Sequence, residues 1–149
     1  MVVRPAQHED RPQLIELMKG YFAFYRTPFP PQKKIDSLLD TLERDADRGV
    51  QLVAEADGRL QGFATLYACL DTLIADRILV MNDLFVDPGV RSHGVGAALF
   101  NASLAYATTH GYARLDWVTA ADNLEAQRFY DRQGGRRGPW VSYSRVPGP

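Results

Sequence analysis

Leu79-Val-Met-Asn82-Asp83-Leu84-Phe85-Val86-Asp-Pro-Gly-Val-Arg91-Ser92-His93-Gly94-Val95-Gly96-Ala97 is the stretch that decides the fold. Leu79 to Val86 reads as a strand, Pro88-Gly89 turns the chain, and a loop carrying Gly94 and Gly96 runs into a helix. A loop built this way points successive backbone N–H groups at one spot. The positive end of the following helix acts there too, so the unit suits a phosphate.

Downstream, Val95, Ala98, Leu99, Ala102, Ala105 and Tyr106 define that helix, which closes at His110-Gly111. A histidine suits the negative helix end and a glycine the left-handed position after it. Tyr112 to Thr119 is the next strand. With the helix as crossover it lies parallel to Leu79–Val86, in a right-handed βαβ unit. Asn123 to Gln133 is a final helix stopped by Gly134-Gly135, and Trp140 to Val146 reads as a closing strand.

Upstream, Val2 to Arg4 is a short strand, and Asp10-Arg-Pro-Gln13 has the form of a helix start, with an N-cap acid and a proline in the first turn. Leu14, Leu17, Met18, Tyr21, Phe22 and Tyr25 follow at helical spacing, and Thr27-Pro-Phe-Pro-Pro31 ends the helix. Ile35, Leu38, Leu39, Leu42 and Ala46 mark a second helix from Gln32 to Arg48. Val50 to Ala56 and Leu60 to Leu70 flank Asp57-Gly58, a strong hairpin signal. The order β-α-α-β-β-β-α-β-α-β gives a mixed α/β sheet in one domain spanning residues 1–149.

The totals suit that reading. At 149 residues, 46% hydrophobic and 23% charged, the chain is long enough and apolar enough for one sizeable core. Its formal net charge of -1 argues against a general nucleic-acid or membrane-surface binder. One cysteine, Cys69, excludes an internal disulfide, and in its apolar strand it reads as a small core residue. The three histidines lack metal-site spacing, so no metal is expected. With no apolar run of membrane length and no signal-peptide pattern, a cytoplasmic protein is expected.

Several nucleotide folds share a glycine loop, and the residues here reject two of them. A Walker A loop needs a lysine and a Ser/Thr after its last glycine, and Ala97-Ala98 stand there instead. A dinucleotide fingerprint needs a third glycine at fixed spacing and an N-terminal βαβ unit, and both are missing. Arg91-x-x-Gly94-x-Gly96 instead resembles the Arg/Gln-x-x-Gly-x-Gly/Ala motif of the GCN5-related N-acetyltransferase (GNAT) superfamily. The Asn82-Asp-Leu-Phe-Val86 strand before it, Thr119-Ala-Ala-Asp-Asn123 after the next strand, and Ala126-Gln-Arg-Phe-Tyr130 continue the resemblance in the family's order.

The resemblance implies an acetyl-CoA-dependent N-acetyltransferase. Coenzyme A would lie across this unit, its pyrophosphate on the backbone from Ser92 to Ala97, with Arg91 adding charge and His93 at the rim. Its pantetheine arm would pair with the strand near Leu84 and Val86, between two strands that splay apart, and Asn123 would bond the pantetheine or cap its helix. Acetyl transfer to an amine also needs the thioester carbonyl polarised, which a strand N–H at Leu84 or Phe85 supplies. An alkylammonium of pKa about 10.4 is only about one part in a thousand free base at neutral pH, so a base must take its proton. Tyr130 is the family's counterpart for protonating the leaving thiolate.

Asp83 is the candidate base. Strand alternation puts Met81, Asp83 and Phe85 on one face and Asn82, Leu84 and Val86 on the other. An acid inside an apolar strand is either that base or half of an ion pair with an arginine. Polyamine acetyltransferases of this superfamily carry Glu-Asp here, with the Glu as base. Asn82 replaces that Glu and cannot serve. The aromatic stretch Tyr21-Phe-Ala-Phe-Tyr25-Arg26, with Asp71, Asp76 and Asp83, would suit a small cationic acceptor. The expected partners are therefore a coenzyme A thioester and an amine, with a homodimer left open. The rival expectation is a non-catalytic acyl-CoA-binding module of the same fold.

Overall fold

A computed structural model describes residues 1–91 and 93–148 of the chain. They form two compact units, Met1–Val118 and Thr119–Pro149. The first is built on a five-stranded sheet of order β1-β2-β3-β4-β5. Its strands are β1 (Val2–Pro5), β2 (Gly49–Ala56), β3 (Arg59–Asp71), β4 (Asp76–Val86) and β5 (Leu115–Trp117). β1 to β4 pair antiparallel in sequence, and β5 joins β4 in parallel. Helices α1 (Arg11–Phe24), α2 (Gln32–Arg44) and α3 (Val95–Thr109) complete this unit, and α4 (Leu124–Arg132) belongs to the second.

Local chemistry explains the connections. Asp57 and Gly58 both take positive φ, 52° and 72°, as a two-residue hairpin between twisted strands requires. Gly111 follows α3 at φ 71°, and Nδ1 of His110 lies 2.9 Å from the Tyr106 carbonyl in the last turn. On one face of the sheet, Leu14, Leu17 and Met18 of α1 and Ile35 and Leu39 of α2 pack on Val53, Leu60, Phe63 and Phe85. On the other face α3 buries Val95, Leu99, Phe100, Ser103 and Ala107. There α3 lies so close to the sheet that a Cβ on Gly62 would come 3.1 Å from a Leu99 methyl and 2.6 Å from the Phe85 carbonyl oxygen.

Four sequence expectations are corrected. α2 stops at Arg44 rather than Arg48, because Asp45 folds back on itself: its carbonyl takes the N–H of Arg48 and its carboxylate that of Asp47. The parallel strand covers only Leu115–Trp117. Trp140 to Val146 forms no strand; Trp140, Val141, Tyr143 and Val146 are 80%, 76%, 90% and 86% exposed. Alternating apolar residues make a strand only with a ladder partner, and no described residue supplies one. Cys69 is exposed, since β3 runs on past Tyr67, where its pairing with β2 ends, and continues as a two-stranded ribbon with β4.

Asp10 precedes α1 as expected, but its side chain caps the short turn before the helix and not α1 itself. Its carboxylate takes two bonds from the Arg4 guanidinium, 2.6 and 2.9 Å, and one from the Gln7 N–H, 2.7 Å. Arg4 also binds Glu55, which ties β1 and β2 to the start of α1. Asp10→Asn should cost about 2 kcal/mol in urea denaturation, since a buried, doubly bonded anion is lost. The Arg4 bonds hold the Asp10 carboxyl below its ordinary value of 3.8, against the opposing pull of burial. This stability is therefore complete above that value and fades as pH falls through the lower folded-state pKa, and the variant's acid limb should be flatter.

Candidate active site

β4 does not alternate regularly. Thr65 pairs with Asp83 but the next β3 residue, Leu66, pairs with Met81, so Asn82 is an extra residue bulged out of the ladder. Cross-strand partners share a face, so Met81 joins Leu66 on the α3 side while Asp83 and Phe85 join Thr65 and Phe63 on the α1 side. The expectation that Met81 and Asp83 share a face is thus corrected. The bulge flips the strand between them, and a polar Asn-Asp pair within an apolar strand is the only trace of it in the sequence.

The bulge also ends the parallel pairing. β4 and β5 pair from Leu79–Leu115 to Met81–Trp117, while β4 continues to Val86. Residues 82–86 therefore have β3 on one edge and no ladder partner among the described residues on the other. The Asp87 N–H reaches the Gln61 carbonyl of β3, at 2.9 Å. By alternation Phe85 also turns its backbone to β3, and Leu84 and Val86 turn theirs to the open edge. Phe85 buries its ring in the core as well. Of the two N–H groups expected to polarise a carbonyl there, that of Leu84 is the one aimed outward.

The chain passes from Val86 through a single turn at Pro88–Val90, held by the Asp87 carboxylate on the Gly89 N–H, to α3. Gly94 is the N-cap of α3 at φ 79°, a conformation that favours glycine, and a Cβ there would meet nothing within 4 Å. The first helical bond runs from Ala98 to the Gly94 carbonyl, at 2.9 Å, and no side chain caps the end. The N–H groups of Val95, Gly96 and Ala97 thus lack acceptors among the described residues. Nδ1 of His93 lies 2.9 Å from the Arg91 carbonyl and 3.2 Å from that of Val90, so it donates and braces the loop. The Arg91 guanidinium has no ion pair among the described residues. Ser92 lies outside them.

Asp83 accepts a hydrogen bond from the Asn82 amide, at 2.8 Å, and its charge acts on the Tyr21 hydroxyl of α1, helping burial to raise its pKa. Neither an arginine nor a lysine pairs with it among the described residues, which removes the ion-pair alternative. Of the acids grouped with the Tyr21 stretch in the sequence, Asp83 is the one whose charge reaches Tyr21. In the second unit Asn123 caps α4, its Oδ1 accepting from the Ala126 N–H at 3.1 Å. Tyr130 lies two turns along that helix, half-buried, its ring 5.2 Å from that of Phe129. The described residues hold no group of three or more acids, histidines or cysteines fit to bind a metal, and no helix long and apolar enough to cross a membrane. An open cleft of 360 Å³ beside β2, lined by Pro5, Leu42, Gly49, Gln51, Tyr106 and His110, contains none of these residues.

Comparisons with known proteins agree on the family. The chain is 33% identical over 134 residues to the uncharacterized N-acetyltransferase YhfO of Bacillus subtilis (strain 168), covering 90% of this chain and 89% of that one. The crystal structure of a probable acetyltransferase superposes with a TM-score of 0.86 at 27% identity, covering 100% of this chain and 99% of the other. An aminoglycoside N-acetyltransferase solved in complex with CoA shares the fold at a TM-score of 0.79 and 20% identity, over 99% and 100% of the two chains. The profile of the Acetyltransferase (GNAT) family matches residues 13–135. The chain belongs to that family and is an N-acetyltransferase.

Proposed function

We propose that the protein transfers the acetyl group of acetyl-CoA to a primary amine of a small molecule. One observation carries the reading: the open edge of β4 and the uncapped N-terminus of α3 are consecutive in the chain and belong to one unit. A pantetheine arm needs the first as a strand-like partner, and a pyrophosphate needs the second. Leu84 and Val86 bind the arm through their backbones. The N–H groups of Val95, Gly96 and Ala97 bind the pyrophosphate, with Arg91 supplying charge, and the family resemblance gives Asn123 the pantetheine as its ligand.

The reaction is a direct attack. Asp83 takes a proton from the acceptor's ammonium group, and the freed nitrogen pair forms a bond to the thioester carbonyl carbon. The Leu84 N–H steadies the charge that develops on oxygen. As the tetrahedral intermediate collapses the carbon–sulfur bond breaks, the sulfur keeps the electron pair and takes the Tyr130 proton, and the second proton of the attacking nitrogen is released to restore the neutral tyrosine. The products are the N-acetyl amine and coenzyme A.

Thiol release from acetyl-CoA, measured against polyamines, amino acids, aminoglycosides and peptide amines, tests this. The expected result is release that requires an amine and yields an equal amount of acetylated product. Tight CoA binding with no turnover on any acceptor would return the chain to a binding module. An unchanged melting temperature in saturating CoA would remove the coenzyme itself from the reading.

A further inference from the structure

Asp83 has no cationic partner among the described residues. The bulge at Asn82 swings it to the α1 side of the sheet, where the Asn82 amide donates to it and Tyr21 packs on Phe85 of the same face, its ring 6.2 Å away. Tyr67 stands two residues along β3 from Thr65, the cross-strand partner of Asp83, on the same face and half-buried. Burial first, and the negative charge of Asp83 second, push both the Tyr21 and Tyr67 hydroxyls above their ordinary value, so each stays a neutral donor at any physiological pH. Around Tyr21 the rings of Tyr25, Phe22, Phe63 and Phe85 lie edge-on at 5.1, 6.0, 6.1 and 6.2 Å. Tyr25 and Phe24 remain 46% and 54% exposed at the end of α1.

A carboxylate bonded by neutral donors keeps its full charge, and aromatic walls attract a cation further. The same arrangement repels an anion, because the Asp83 carboxylate faces it and no lysine or arginine pairs there among the described residues. We propose that Tyr21, Tyr67 and Asp83 form the ammonium pocket of the acceptor site, and that the acceptor carries its amine on an aliphatic carbon with no carboxylate attached. Asp83 touches the substrate nitrogen. Tyr21 is a positioning residue: its ring and neutral hydroxyl line the face that Asp83 occupies and limit where that nitrogen sits. This assignment rests on the acetyl-transfer reading and names its acceptor class.

The experiment compares hexan-1-amine with 2-aminoheptanoate, which differ only by the carboxylate beside the nitrogen. The wild-type protein should acetylate the amine with a kcat/KM about a hundredfold higher or more. Tyr21→Phe should raise the amine's KM about tenfold with no change in the KM for acetyl-CoA, while Tyr21→Leu, which also removes the ring, should raise it further. In parallel, calorimetry with hexan-1-amine and the CoA-loaded protein should show binding that weakens about tenfold or more in Asp83→Asn, with circular dichroism confirming that the variant is folded. If no amine releases thiol, the acetyl-transfer reading fails, yet amine binding lost in Asp83→Asn still supports the pocket. If turnover occurs but the amino acid is preferred, or Asp83→Asn binds the amine as the wild type does, the pocket is overturned and the acetyl-transfer reading stands. A Tyr21→Phe variant whose loss appears in the KM for acetyl-CoA instead would also overturn it.

Discussion

Replacing Tyr130 by phenylalanine should lower kcat by about a hundredfold or more while leaving the Kd for CoA within about twofold. The substitution removes one oxygen and keeps the ring, so the packing against Phe129 and the fold of α4 persist. What is lost is a proton at one moment. A departing thiolate can leave unaided, so the loss should be smallest with an activated thioester whose thiol is already acidic. Single-turnover rates with acetyl-CoA and with an acyl thioester of lower leaving-group pKa would show whether the variant's defect shrinks in that way. An unchanged kcat would remove Tyr130 as the acid. A raised Kd for CoA with kcat preserved would make it a binding contact.

Much of this site is legible in the order of residues alone, for a physical reason. Gly94 and the proline turn act through the backbone, which glycine frees and proline restricts, so the turn and loop between β4 and α3 show in the sequence. The hairpin at Asp57-Gly58 and the end of α3 at Gly111 are legible for the same reason: each needs positive φ, and few residues adopt it. What sequence reasoning misses depends on partners far away in the chain. Strand alternation fails at Asn82 because a bulge belongs to a pair of strands, and β4 alone does not specify it. Trp140 to Val146 has strand-like alternation but no ladder. The sequence offers Tyr21 both as an apolar residue of α1 and, with three acids, as part of a cationic acceptor's surroundings; the bulge, by turning Asp83 toward that helix, selects Asp83 from the three. Cys69 fails in the opposite sense, since an apolar strand extends beyond its cover.

Gly96→Asp separates the helix from the ligand that the helix is proposed to hold. Gly96 is the second residue of α3, where an acidic side chain stabilises the helix through the macrodipole and can itself accept one of the uncapped N–H groups. Stability should therefore hold or rise by about 0.5 kcal/mol. The coenzyme sees the reverse. The new carboxylate takes N–H groups from the pyrophosphate and adds a like charge within a few ångströms of it. Losing two bonds to a charged group, at roughly 1.5–3 kcal/mol each, predicts a Kd for CoA raised by about a hundredfold or more. Pantetheine, which lacks the pyrophosphate, should bind the variant and the wild type alike, which assigns the loss to the phosphate rather than to the arm on β4. High salt should recover part of the CoA affinity, because the repulsive part of the loss is screened. A variant that binds CoA normally would move the pyrophosphate off α3, and the reading of the glycine loop would fall with it.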